Sequence, residues 1–311
     1  VARVLSTVVV LALLAATAAA FVITEGAKLE KSPVAGTAVD SVFSPASVVP
    51  DKKNAHVRFR LRTRERLAVW IQDANGRRVA TLLSNRNAPR GSQFDLVWDG
   101  FSQSGVIFPD GLYKPVVKLE RSHRTLVLPN PIRLDTKAPV ITVRKVPHAI
   151  ISPDGDGHND VFRQTYRVNE PAHGILSVRG QRVEYTLGQK PTGQLIWNGK
   201  LGKPAKAVRP GMYVLRASAL DRAGNQSTPY PSAIVQVRYV TLARKRVVVA
   251  PGRRFFLRVS TDAPTVRWQL HGRSGVARAG TLRIRAPKAS GVYHLYVTAA
   301  GHSAVATVVV G

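Results

Sequence analysis

Asp154, Asp156 and Asp160 stand at positions i, i+2 and i+6 with Gly155 and Gly157 between them, so three carboxylates can converge on one side of a tight loop. Calcium is a hard cation that takes oxygen ligands at this kind of spacing, and an ion held there would stiffen the joint between two domains. The competing reading is a plain turn, in which Asp side chains accept hydrogen bonds from nearby backbone amides. The loop lacks the later Glu of a full EF-hand loop, which weighs toward the turn. A second set of residues is cationic. Arg58, Arg60, Arg62 and Arg64 recur at every second position, and Arg244-Lys245-Arg246 is followed by Arg253-Arg254. Guanidinium forks match phosphate and carboxylate oxygens, so Arg58, Arg60, Arg62, Arg253 and Arg254 are candidate contacts for a polyanion. Against this stands an ordinary solvated outer face.

Other chemistry finds little footing. The chain has no cysteine, which excludes disulfides, thiolate metal sites and a cysteine nucleophile. The eight histidines are scattered, and there is no Gly-x-Ser-x-Gly elbow, His-Glu-x-x-His helix or phosphate loop. The sequence is therefore expected to be non-enzymatic, with no cofactor apart from the calcium considered above. Trp98 and Trp197 precede Asp-Gly and Asn-Gly and are expected to seal a core rather than to stack on sugar rings.

The elements that would carry these residues read as strands. Val57-Arg58-Phe59-Arg60-Leu61-Arg62 alternates strictly between apolar and charged residues, the period of a strand with one face buried. Leu67 to Gln72 follows, and Asp73-Ala74-Asn75-Gly76 returns the chain into Val79 to Leu83. Phe94 to Trp98 and Tyr113 to Leu119 complete a first set. Phe162 to Val168, Ile175 to Val178, Gln194 to Trp197 and Met212 to Ala219 form a second. Landmarks repeat roughly every hundred residues: Ser44-Pro45 and Ser152-Pro153, Trp98-Asp99-Gly100 and Trp197-Asn198-Gly199, Asp110-Gly111-Leu112-Tyr113 and Pro210-Gly211-Met212-Tyr213. Units of that size are whole small domains. Residues 241–311 contain further strand-like runs, and Ser290-Gly291-Val292-Tyr293 echoes the Gly-x-Tyr entry.

These landmarks resemble the Ig-like domain found at the C-terminal part of the flagellar hook-capping protein and repeated in many secreted bacterial proteins. The resemblance rests on Ser152-Pro153-Asp154-Gly155-Asp156-Gly157, the Asp73 to Val79 turn, Trp98-Asp99-Gly100 and Pro210-Gly211-Met212-Tyr213. It covers roughly residues 41–240 and implies all-β, Ig-like or fibronectin-III-like sandwiches in tandem. The first copy lacks the acidic opening, and the second has Asn198 where the pattern has Asp. The expected organisation is an N-terminal transmembrane anchor or signal peptide with tether at 1–31, then sandwiches at 39–137, 138–240 and 241–311, the last divergent.

Val4 to Thr24 is almost uninterruptedly apolar, about the length of a membrane-spanning helix. Ala16-Thr17-Ala18 and Ala18-Ala19-Ala20 also read as cleavage sites, but the apolar run continues past them through Phe21-Val22-Ile23. The expectation is a single-pass cell-membrane protein with exported C-terminal domains, or a secreted one after cleavage. Net charge is +28, and residues 241–311 hold twelve Lys or Arg against the single acid Asp262. Such a field attracts polyanions without selecting among them. The expected role is a bacterial envelope stalk with an interaction or adhesion surface for an anionic cell-wall polymer or an envelope protein. The alternatives are an accessory subunit of an exported enzyme and, more remotely, a sequence-nonspecific nucleic-acid binder.

Overall fold

The computed structural model describes residues 10–21, 32–155 and 157–311. Residues 10–21 are helical, and every one of them is exposed. The rest of the expected membrane segment, 4–9 and 22–24, lies outside the described residues. Among the described residues no helix is long and apolar enough to cross a membrane.

Apart from a single 3-10 turn at Pro50–Lys52, the remaining described elements are strands, and the same arrangement is made three times. In the first copy a three-stranded antiparallel sheet runs in the order Val34–Val39, Ala55–Leu61, Gln93–Trp98. Its facing sheet runs Val42–Phe43, Ile132–Leu134, Gly111–Leu119, Glu65–Gln72, Arg78–Ala88. Val42–Phe43 pairs parallel with Ile132–Leu134, and the remaining neighbours are antiparallel. This is the strand order of an immunoglobulin-like sandwich, whose short first segment switches from one sheet to the other. The alternation in Ala55–Leu61 is realised as expected: Val57, Phe59 and Leu61 are buried while Arg58 and Arg60 face outward.

The second copy repeats the order. Ile141–Val143 and Lys190–Trp197 flank the front half of the long strand Phe162–Val178. The back half of that strand enters the other sheet, between Gly211–Leu220 and Gln181–Tyr185. The two strands read from sequence, 162–168 and 175–178, are thus one continuous ribbon that bends across both sheets. Val146–Ile151 pairs parallel with Tyr230–Val237.

The third copy, called divergent from its sequence, has the same topology. Thr241–Leu242, Arg254–Ser260 and Gly280–Arg285 form one sheet. Arg246–Val249, His302–Val310, Gly291–Ala299, Thr265–Leu270 and Arg273–Arg278 form the other, again with the parallel pair at its edge.

Each copy encloses its own apolar core, centred on residues such as Phe43, Ile71 and Leu134; Leu176, Leu195 and Leu215; and Leu257, Leu282 and Leu295. By compactness the backbone falls into two units, 1–45 with 51–135, and 46–50 with 136–311. Within the second unit, Tyr239 ties its two cores together. Its ring stacks on His302 at 3.5 Å between centroids, and its hydroxyl donates to the Val208 carbonyl at 3.3 Å.

The sequence landmarks meet at one corner of each of the first two sandwiches, and the third keeps their tyrosine. Trp98 is 2% exposed and packs edge-on against Tyr113 at 4.8 Å and Phe43 at 5.2 Å. Trp197 is 1% exposed and lies 5.3 Å from Tyr213. The tyrosine hydroxyl donates to the carbonyl four residues upstream in all three copies: Tyr113 to Pro109 at 2.6 Å, Tyr213 to Arg209 at 2.8 Å and Tyr293 to Ala289 at 2.9 Å. Gly100 and Gly199 follow the tryptophans with φ of 80° and 68°. A Cβ on Gly100 would stand 3.0 Å from Pro45 Cγ, and one on Gly199 would stand 2.5 Å from Pro153 Cγ. The Ser-Pro and Trp-Asx-Gly landmarks therefore recur together because they pack on each other.

Substitution at this corner should cost more than at an open turn. Gly199→Ala combines a left-handed backbone with a collision and is expected to destabilise by about 2–4 kcal/mol. Gly180→Ala, at φ 76° with nothing within 4 Å, carries the backbone term alone, about 1 kcal/mol. Urea denaturation of both variants checks the difference.

Candidate functional site

The acidic loop forms as a self-contained turn. Asp160 accepts the Gly155 amide at 2.7 Å on one carboxylate oxygen and the Gly157 amide at 2.8 Å on the other. The Ser152 hydroxyl donates to Asp154 at 3.1 Å, and the Ser152 amide closes the loop onto the Asn159 carbonyl at 2.9 Å. Asp156 lies outside the described residues. Asp154 and Asp160 are thus seen holding backbone and hydroxyl donors, which is the turn-forming role.

Three further loops share one design. Asp73 accepts the Asn75 and Arg77 amides at 3.0 and 2.9 Å, and its own amide donates to the Arg77 carbonyl. Asp221 accepts the Asn225 amide at 2.8 Å, with the same return bond from its amide to the Asn225 carbonyl. Ser102 does likewise with its hydroxyl, accepting the Val106 amide at 3.1 Å. Gly76, Gly105 and Gly224, at the fourth position of each, have φ of 80°, 76° and 87°. A type I turn followed by a left-handed glycine is a standard hairpin connection, and the first side chain caps it. Asp99 and Asn198 cap the Trp-Asx-Gly turns alike, accepting the Phe101 amide at 3.0 Å and the Lys200 amide at 3.3 Å. The replacement of Asp by Asn in the second copy preserves this role, because only the side-chain oxygen is used.

The arginines split into two kinds. Arg58 is engaged within the first sandwich: its Nε donates to Asp95 at 3.1 Å, and Asp40 lies 3.5 Å from its Nη1. His56 Nδ1 sits 2.7 Å from the other Asp95 oxygen. That hydrogen bond, followed by the one from Arg58, holds the Asp95 carboxyl below its ordinary value. Arg60 and Arg62 are exposed. They line a shallow depression with Pro33, Thr63, Arg90 and Gly91, so Arg90 joins them although nothing in its local sequence pattern signalled it. The strand ends at Leu61, and the Arg62 amide donates to the Pro33 carbonyl at 2.8 Å. Arg253 and Arg254 are exposed in the third sandwich, at the entry to Arg254–Ser260. The two tryptophans are enclosed in their cores and present no ring face to solvent.

No family model and no curated protein matches the chain. Among solved structures, the fibronectin(III)-like modules of Clostridium thermocellum CbhA are similar at 12% identity, covering 65% of this chain and 94% of theirs, with a TM-score of 0.35. A three-domain immunoglobulin segment of titin is similar at 12% identity, covering 90% and 99%, with a TM-score of 0.32. A structure from a bacterial ice-binding adhesin matches at 12% identity, covering 90% and 97%, with a TM-score of 0.27.

Two outcomes follow from the loop chemistry. The Arg77 amide, more than any other group, holds the Asp73 carboxyl below its usual value. A depressed carboxylate stabilises the fold above its unfolded value, and that contribution disappears as pH falls through the folded one. The melting-temperature gap between wild type and Asp73→Asn should therefore be constant near neutrality and close below about pH 4. In the acidic loop, Asp160→Ala removes two amide acceptors and is expected to cost about 1–2 kcal/mol in calcium and in chelator alike. A cost that appears only with calcium would assign the loop to the ion instead.

Proposed function

We propose that the chain is a non-enzymatic bacterial envelope protein, membrane-tethered or secreted, whose tandem sandwiches serve as stalk and interaction module. The observation that carries this reading is how the repeated residues are used. Trp98, Trp197, the three corner tyrosines and the loop-capping Asp and Ser residues all work on folding, in copy after copy. What differs between copies is the outward strand faces, which are basic. A module repeated for its scaffold and varied on its surface suits a spacer that presents contacts, and tandem sandwiches commonly serve that purpose.

The exposed apolar helix at residues 10–21 supports a tether. Leu11, Leu13, Leu14 and Phe21 are each at least 60% exposed, an arrangement suited to lipid. The spelling of the Ser-Pro, Trp-Asx-Gly and Gly-x-Tyr landmarks supports the Ig-like type repeated in secreted bacterial proteins. The partner in this reading is an anionic cell-wall polymer or another envelope protein.

Protease shaving of intact cells tests the placement. Residues 32–311 should be degraded while a cytoplasmic marker survives, and fractionation should recover the N-terminal segment with membrane when it is retained. Full protection of the sandwiches in intact cells, with degradation only after lysis, would overturn the proposal.

A further inference from the structure

The third sandwich carries an outward sheet face with an unusual inventory. In the strand Arg254–Ser260 the exposed residues are Arg254, Phe256 and Arg258, and in its neighbour Gly280–Arg285 they are Thr281, Arg283 and Arg285. The register sets Arg254 directly opposite Arg285, Phe256 opposite Arg283, and Arg258 opposite Thr281. Phe256 is 61% exposed, and the Arg283 guanidinium lies over its ring at 5.9 Å. None of the four arginines makes an ion pair among the described residues. Arg58, by contrast, meets Asp95 and Asp40 on the equivalent sheet of the first sandwich.

Like charges directly opposite on adjacent strands destabilise a sheet, so nothing in the fold itself accounts for the Arg254–Arg285 pair. An anion laid across the pair would relieve it. Same-face residues repeat about every 7 Å along a strand and about 5 Å across neighbours. The four arginines thus leave the sheet in two adjacent rows, an array that suits a linear polymer with one charge per unit. A phosphodiester carries its charge within the polymer backbone, and its two non-bridging oxygens can each accept from an arginine, so successive charges of such a chain can lie along the two rows. Bases would need successive aromatic rings to stack on, and this face has one, Phe256.

Resting on the reading of the chain as an envelope interaction module, we propose that this face docks a polyol-phosphate polymer. Arg254, Arg258, Arg283 and Arg285 bind the phosphodiester groups, and Phe256 packs against the carbon backbone between them. Lys288 lies beside Gly252 at the end of the sheet where Arg254 and Arg285 sit, and extends the basic track.

The test uses the full chain in detergent micelles and a fluorescent glycerol-phosphate oligomer, with binding followed by anisotropy across a salt series. Wild type should bind with a steep salt dependence. The variant R254Q/R258Q/R283Q/R285Q should lose affinity, its slope of log affinity against log salt shallower by about 2 to 3, at about 0.7 per phosphate contact. Phe256→Ala should lower affinity several-fold with the slope unchanged. The charge-matched control R78Q/R121Q/R163Q/R216Q should bind more than tenfold tighter than the face variant. Melting of the face variant at or above the wild-type temperature shows that it is folded. Absence of binding by wild type, equal losses in control and face variants, or tighter binding of an oligothymidylate would each overturn the proposal. None of these outcomes alters exposure to external protease, so this proposal and the stalk reading fail separately.

Discussion

One hydrogen bond organises all three sandwiches, the one from a strand-entry tyrosine to the carbonyl four residues before it. It fixes the angle at which the chain leaves the loop and enters the central strand of the larger sheet. In the first two copies the same ring lies against a buried tryptophan, and the glycine after that tryptophan admits the proline of the Ser-Pro opening. Three segments distant in sequence are thereby held at one corner. A chain without cysteine has no covalent means of doing this, so aromatic burial and one satisfied hydroxyl take the place that a disulfide holds in many extracellular sandwiches.

The third copy shows which parts of that corner are indispensable. It keeps the tyrosine bond and the full strand order, yet the strand that ends in Trp98 or Trp197 ends here in Arg285 and the buried Ala286, and Tyr293 meets His271 edge-on at 4.7 Å instead. Leu257, Leu270, Leu282 and Leu295 supply the enclosed volume. The topology thus survives loss of the aromatic pair, because the register of the two sheets is held by alternating burial along every strand. A slip of one residue would turn the whole leucine set to water.

Charge follows a different rule from the core. Arginines occupy outward strand positions in every copy, but their surroundings change along the chain. Arg58 is balanced by Asp40 and Asp95, Arg60 and Arg62 are joined by Arg90, and Arg254 faces Arg285 with no acid near. The sandwich is indifferent to these differences, since outward side chains cost the core nothing. Interaction surfaces can therefore vary without refolding the module.

The division between sequence and tertiary structure follows from what is local. Strand alternation, the Asp-x-x-Gly turns, the buried tryptophans and the Gly-x-Tyr entry were legible because each is set by residues close together in the chain. The sheet partners were not, since the parallel edge pairs and the fusion of 162–168 with 175–178 depend on contacts across tens of residues. The surroundings of the arginine runs were hidden for the same reason: Arg58 and Arg60 are neighbours on one strand face, yet one meets a carboxylate 37 residues away and the other is exposed. Phe256, Arg283 and Arg285 are unremarkable in sequence. They become one surface only because strand pairing lays residues 254–258 and 281–285 side by side with their alternate side chains turned to the same solvent.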